Sequence, residues 1–311
     1  MAETPWGDLQ VNDAHVHFFS RNFYEGLARQ KKSSGADSLA SSLGWEIPSD
    51  ASVLADRWAA ELNAQGVGRA SLIASVHGDE ESVAAAVKAY PDRFYGFFIL
   101  DPLQPDAMDR LSAAAANPYL HGVCLFPAMH TYSIADKRLV PMFELISDRH
   151  LAASVHCGAL SVGVRKKLGL PSQFDMRFSD PLHLHPVALH FPQIRFIIPH
   201  FGAGLFREAL MLADLCPNIY FDTSSTNRWM LYEGLDLRTV FRRTIDLIGP
   251  ERLLFGTDSS FFPRGWHRAI FDGQVKALYE LGLDARQGTL ILKSNLEQLL
   301  EARALDGPHP E

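Results

Sequence analysis

Short apolar runs recur along this 311-residue chain, and a longer amphipathic stretch follows most of them. The runs are residues 9–14, 70–76, 94–100, 122–126, 152–155, 195–198, 219–222 and 253–256. Several are rich in Val, Ile and Phe, as expected of strands buried on both faces of a parallel sheet. Between them, residues 53–65, 80–89, 107–115, 139–149, 206–215 and 237–247 carry helical periodicity. Each is long enough to serve as the crossover that a parallel connection requires. Pro91-Asp92-Arg93, Pro192-Gln193, Pro217-Asn218 and Gly249-Pro250-Glu251 each precede a strand, where a helix must stop. Eight such strand–helix repeats predict an α/β fold, a closed (β/α)8 TIM barrel, in one domain over residues 1–311. An open doubly wound sheet is the rival, but it calls for a Gly-rich turn after the first strand. Here that position holds Asp13-Ala14-His15-Val16-His17.

Two segments break the rhythm. Residues 21–50, after the first strand, are polar and read as irregular, and residues 158–180 follow the fifth strand. Both are placed on the C-terminal face of the barrel, where long loops build active sites, so at least one is expected to act as a lid or substrate wall. Residues 306–311 read as a frayed tail.

Polar residues collect at the strand ends. His15 and His17 are separated by one residue, so on an extended backbone their side chains fall on the same side. His156 ends the fifth strand, His200 the sixth and Asp258 the eighth. Any one of these could be an ordinary hydrogen-bonded residue, and Asp258 could be a helix N-cap. Core packing gives no reason for polar groups at four strand ends, however, so together they read as a metal site. Imidazole nitrogens with a carboxylate suit zinc, with manganese or iron as alternatives. His183 and His185 share the same spacing but fall in a predicted helix, where i and i+2 diverge. His150, His190 and His309 read as surface residues. His77 and His130, after strands two and four, are candidates for contact with substrate. So are Arg228, Trp229, Arg264 and Trp266, after strands seven and eight: guanidinium suits a carboxylate and indole a planar ring. Phe126, Phe261 and Phe262 would add apolar walls.

With these motifs in order, the chain resembles the amidohydrolase superfamily, in its amidohydrolase-related (type 2) branch. That branch includes aminocarboxymuconate-semialdehyde decarboxylase and the pyrone-dicarboxylate lactonases. The resemblance runs from Asp13-Ala14-His15-Val16-His17 through Val155-His156-Cys157-Gly158, Asp180-Pro181-Leu182, Pro199-His200-Phe201-Gly202 and Tyr220-Phe221-Asp222-Thr223-Ser224 to Gly256-Thr257-Asp258. It implies His15, His17, His156 and Asp258 as ligands of a divalent metal, with His200 beside it as fifth ligand or proton shuttle. Dimers are common in the branch, which makes a homodimer an expectation. Better-known amidohydrolases carry a strand-four lysine able to form a bridging carbamate. Gly122-Val123-Cys124-Leu125-Phe126-Pro127 has none, so one metal ion is expected.

Composition narrows the rest. A net charge of −7 and the lack of a Lys/Arg stripe exclude a polyanion-binding surface, so nucleic acid is not an expected partner. The first residues show neither a basic nor an apolar signal region, and no apolar run approaches the roughly 20 residues of a membrane span. Three widely spaced cysteines, Cys124, Cys157 and Cys216, suit free thiols and a cytoplasmic setting. The expected activity is hydrolysis of an amide, ester or lactone of a small carboxylate-bearing molecule, with Asp258 and His200 as the proton-handling pair. Non-oxidative decarboxylation of an unsaturated or aromatic acid is the alternative, and a non-catalytic ligand-binding barrel a lesser one.

Overall fold

In a computed structural model the described residues are 1–32, 35–160, 162–172, 174–224 and 228–306. The eight barrel strands are Val11–Phe18, Val67–Ala74, Phe94–Leu100, Gly122–Leu125, Ala152–Val155, Phe196–Ile198, Ile219–Asp222 and Leu253–Leu254. They are called strands one to eight here. Each pairs in parallel with the next in sequence, so the sheet order is the chain order. The ring closes between strand one and the residues after strand eight. There Ala14 N donates to Phe255 O (2.8 Å), Asp258 N to His15 O (3.0 Å) and His17 N to Ser259 O (2.7 Å). A two-stranded antiparallel hairpin, Ala2–Thr4 with Gly7–Leu9, precedes the barrel.

The predicted helices form the outer layer. They span Ala51–Ala64, Glu80–Ala89, Ala107–Ala116, Val140–Asp148, Phe206–Leu215 and Leu237–Ile248, within two residues of the sequence expectation at each end. Their apolar faces meet the outward-facing residues of the strands, among them Val16, Phe18, Leu72, Phe98, Val123 and Phe221, in one continuous core. The barrel interior is a second, smaller cluster built from Ile73, Phe97, Ile99, Cys124, Ile197 and Leu254. It is stoppered by Leu296, Leu299 and Leu300 of the C-terminal helix Asn295–Asp306. Arg195 Nη1 donates to Leu299 O (2.8 Å) and Asn12 Nδ2 to Glu297 Oε1 (3.0 Å), which pins that helix across the base. Leu253 and Leu254 lie two strand residues short of the expected 253–256, because Phe255 pairs its backbone with Ile291 and Ala14 instead of strand seven.

The largest departure from expectation is in residues 21–50. The segment is helical, Arg21–Lys31 and Ala36–Leu43, and its apolar residues are buried. Phe23, Tyr24, Leu27, Leu39 and Trp45 pack with Val164 and Leu168 of the strand-five insertion in a third cluster, apart from the barrel core. Lys31 Nζ donates to Leu168 O (2.5 Å) and joins the two insertions. Together they stand over the C-terminal mouth. Among the described residues no helix is long and apolar enough to cross a membrane.

Candidate metal centre

His15 and His17 lie inside strand one, which runs on to Phe18, rather than just beyond its end. The register against strand two slips between Asp13 and Val16, a bulge that re-aims the intervening side chains. Both imidazoles turn into the barrel mouth, with their Nε2 atoms 3.4 Å apart. Asp258 Oδ1 is 3.2 Å from His17 Nε2 and 3.7 Å from His15 Nε2. One ligand atom from each of these three residues fits within a 4.8 Å group. The His200 ring centroid is 5.1 Å from that of His15, and His156 is 5.5 Å from His200. Four imidazoles and one carboxylate from strands one, five, six and eight therefore meet in one mouth, His15, His17 and Asp258 as one group and His200 and His156 beside it. Their backbones are unusual: Asp258 has φ 60°, and His200, Phe201, Gly202 and Ala203 all have positive φ. Left-handed backbone at bulky residues is rare and gathers at functional sites.

What lies behind the imidazoles decides what they can do. His15 Nδ1 is 2.5 Å from the Asp222 carboxylate, so it donates a proton there and turns Nε2 into the mouth. His17 Nδ1 meets Ser75 Oγ at 2.8 Å. Ser75 gives its own hydroxyl proton to Ile73 O (2.9 Å), so its oxygen must accept from His17. His200 Nδ1 faces the backbone carbonyl of Ser224 at 2.5 Å and can only donate to it. Three rings are thus held from behind at Nδ1, each with Nε2 turned into the mouth. His156 is buried and stacked on Phe126 (5.5 Å, 23°), and its Nδ1 has no hydrogen-bond partner.

The electrostatics agree. Burial works against a charged His15, yet the Asp222 carboxylate outweighs it and raises the imidazole to about 9. At neutral pH the ring therefore carries a second proton on Nε2, which a metal cation held there would displace. Burial, with His200 and His15 nearby, pushes His156 down to about 3, which favours a bare nitrogen at neutral pH. Burial also lowers His17. Burial alone would raise Asp258, but its bond with His17 and the charges of His15 and His17 hold its carboxyl well below the usual range. Imidazole nitrogens gathered round an ionised carboxylate, with the buried His156 Nδ1 left unpaired, fit a divalent cation of the borderline-soft kind.

Asp222 and Asp13 escaped the sequence reading as functional residues. Asp222 ends strand seven, the same topological position as the ligand candidates, and that placement was its signal. Asp13 is a buckle: Oδ1 accepts from His15 N (2.9 Å) and Thr257 N (3.1 Å), and Oδ2 from Thr257 Oγ1 (2.6 Å) and Trp266 Nε1 (2.7 Å). Burial raises its carboxyl to about 6 in spite of these donors. Trp266 is therefore not a substrate contact. It is 2% exposed, its indole N–H is spent on Asp13, and it lies outside the cavity wall. Phe262 is likewise buried, against Trp58 and beneath Arg57.

A cavity of about 1050 Å³ opens over the histidines. His77, Phe126, His130, Trp229, Phe261 and Arg264 line it. Arg264 Nη2 reaches Ser260 Oγ at 2.9 Å, and His130 Nδ1 is 4.0 Å from Asp101. The Arg228 side chain and His309 fall outside what the structure describes. His183 and His185 straddle the junction of a 3-10 turn and a short helix away from the cavity, in keeping with the helical reading. The three cysteines are free and buried. Burial pushes the Cys124 and Cys157 thiols up to about 12, so neither is a nucleophile.

A parallel barrel with a carboxylate and four imidazoles at the C-terminal ends of its strands defines a class of metal-site TIM-barrel proteins. The chain belongs to the amidohydrolase family described as "Amidohydrolase" (Amidohydro_2), which it matches over residues 13–300. It is 29% identical over 85 residues to the protein fluG of Emericella nidulans, a stretch that is 27% of this chain and 10% of that one. The fold is shared with 5-carboxyvanillate decarboxylase of Sphingomonas paucimobilis, at 16% identity and a TM-score of 0.62, covering 94% and 99% of the two chains. It is also shared with an amidohydrolase of Burkholderia multivorans solved with bound zinc (13%, 0.63, 94% and 99%). A third similar structure is a probable 2-pyrone-4,6-dicarboxylic acid hydrolase of Acinetobacter baumannii with citric acid bound (14%, 0.59, 94% and 99%).

Proposed function

We propose that the protein is a metal-dependent hydrolase that uses water to cleave an amide, ester or lactone of a small carboxylate-bearing molecule. One observation carries this reading: three imidazoles are held at Nδ1 by Asp222, Ser75 and Ser224, with His15 and His17 Nε2 beside the Asp258 carboxylate. His15, His17, His156 and Asp258 would hold one divalent ion, zinc first by its donor set, with manganese or iron as alternatives. His200 stands beside it. Family membership and the zinc in the Burkholderia multivorans structure support this choice. The absence of a lysine in residues 122–127 supports a single ion. Free, buried cysteines support a cytoplasmic setting.

A divalent ion in such a site supplies Lewis acidity, which lowers the pKa of water to about 7 and polarises a carbonyl. The remaining work falls to the protein. Asp258, kept ionised by its histidine neighbours, accepts the proton of the attacking water. His200, its Nδ1–H held by Ser224 O, presents Nε2 as the acceptor that steers that water, and Asp258 then passes the proton it took to the leaving group. The insertions 21–50 and 158–180 line the mouth and limit bulk water. Decarboxylation is the second reading, because the fold is shared with 5-carboxyvanillate decarboxylase.

The test is a screen of lactones, esters and amides of small carboxylic acids, alongside unsaturated and aromatic acids, with zinc-loaded protein in ¹⁸O-water. Hydrolysis places ¹⁸O in the acid product without CO₂ release. Release of CO₂ from an acid without ¹⁸O in the organic product would replace this reading with decarboxylation.

A further inference from the structure

The cavity mouth is charged in a way the catalytic cluster does not explain. Among its described lining residues Asp258 is the sole carboxylate, and it is engaged with His15 and His17. Three cations line the same cavity: Arg165, Lys167 and Arg264. Among the described residues none has a carboxylate within ion-pair distance, whereas Arg21, Arg57, Arg69 and Arg110 on the outer surface each do. Arg165 is occupied by a carbonyl, with Nη2 to Pro171 O at 2.7 Å. Arg264 is partly occupied by Ser260 Oγ (2.9 Å) and Asp258 O (3.3 Å), and lies within reach of the Asp258 charge. Lys167 has no hydrogen bond; its ammonium is held only by ring faces, 5.6 Å from the centroid of Trp45 and 5.8 Å from that of Phe261.

Those rings belong to a continuous wall. Phe23 stacks on Phe19 (3.8 Å), Phe19 lies 5.9 Å from Trp45, and Trp45 stacks on Phe261 at 4.1 Å and 11°. The wall begins at the metal cluster, where the His17 ring is 5.6 Å from Phe19. It ends beneath the two cations, since the Arg264 guanidinium also sits 4.5 Å from the Phe261 centroid. Aromatic rings favour a flat, unsaturated body, and Lys167 without a carboxylate partner, beside Arg264 on the same ring, favours an anion. His15, His156 and His200 are buried and His17 is half-buried while Lys167 is exposed, so this anion sits at the mouth, away from the reacting bond.

We propose that Lys167, with Arg264 beside it, is a specificity site for a second carboxylate, carried on a planar unsaturated substrate that lies along the Trp45–Phe261 wall. It deepens the catalytic reading above and rests on it for the position of the reacting bond. Lys167 is carried by the strand-five insertion, so recognition at this point is set by a segment outside the barrel repeat.

Calorimetric titration of the full-length, zinc-loaded protein tests the site, with benzene-1,3-dicarboxylate, benzoate and benzamide as probes. The dicarboxylate is expected to bind about tenfold more tightly than benzoate, the range of one charge-assisted contact, with the preference shrinking as salt rises. Lys167→Gln and Arg264→Gln should each cut that ratio at least threefold without weakening benzoate, and Lys167→Arg should restore it. An unchanged ratio in both Gln variants overturns the proposal, as does wild-type protein that shows no preference or binds none of the acids. Repeating the titration on zinc-stripped protein separates the two claims. A ratio that survives there speaks for the anion site even if the catalytic reading fails.

Discussion

At the scale of single residues, the imidazoles are held by groups far away in sequence. Asp222 is 207 positions from His15, and Ser75 is 58 from His17. The histidines and Asp258 were legible as strand-end polar residues, because only the strand pattern was needed to place them. Their partners were not, since a pairing across the barrel depends on register, and register is set by the closed ring. Asp222→Asn should keep the shape but remove the charge that orients His15. Zinc affinity is then expected to fall by about 10- to 100-fold, as found for partners behind metal-bound histidines, with little change in melting temperature. Competition against a zinc indicator measures it, and unaltered affinity would show that Asp222 does not tune the site. Gly256 is under the same constraint: a Cβ there would meet Asp222 Oδ1 at 2.5 Å and His15 Cβ at 3.1 Å. Trp266 illustrates the opposite error. It was placed correctly after strand eight, but the sequence could not show that its N–H points inward to Asp13. Trp266→Phe should cost about 1–3 kcal/mol of stability, the penalty for depriving a buried acceptor of its donor, in chemical denaturation.

At the scale of elements, six crossover helices were readable from periodicity because each has a wide apolar stripe against the sheet. Residues 21–50 were not. Arg21, Arg29, Lys31, Lys32 and a run of serines dominate the composition, and the apolar residues form a narrow strip, Phe23, Tyr24, Leu27 and Ala28 on one helix and Ala36, Leu39 and Ala40 on the next. That strip is satisfied by the other insertion rather than by the barrel, so no strand in sequence announces it. A satellite cluster of this kind should open as a unit at lower free energy than the barrel. Hydrogen exchange is expected to show residues 21–47 and 162–170 exchanging together, faster than strands two to five. Leu27→Ala should speed exchange in both segments while leaving the strands unchanged; an effect confined to residues 21–47 would separate the two insertions.

At the scale of the whole molecule, the barrel is closed by strand one against residues 255–259, and its base is closed by the C-terminal helix. Strand order and barrel closure were legible from eight repeats. The stopper was not, because Leu296, Leu299 and Leu300 lie beyond the last strand and nothing in the sequence names their partner. Leu299→Ala should destabilise the fold by about 2–5 kcal/mol, the cost of a large-to-small change in a packed core, seen as a shifted denaturant midpoint. The cavity, in contrast, draws on both ends of the chain at once: His15 and His17 from the first strand, Asp258 and Arg264 from beyond the last.

The central claim is that these residues hold one catalytic divalent ion, and metal content per chain tests it most directly. Protein purified without chelators and dialysed against metal-free buffer should retain about one zinc, manganese or iron per chain by elemental analysis. Chelation should remove it together with activity, and His17→Ala with Asp258→Ala should abolish retention. Wild-type protein that neither retains nor takes up a divalent ion when one is supplied would contradict the account.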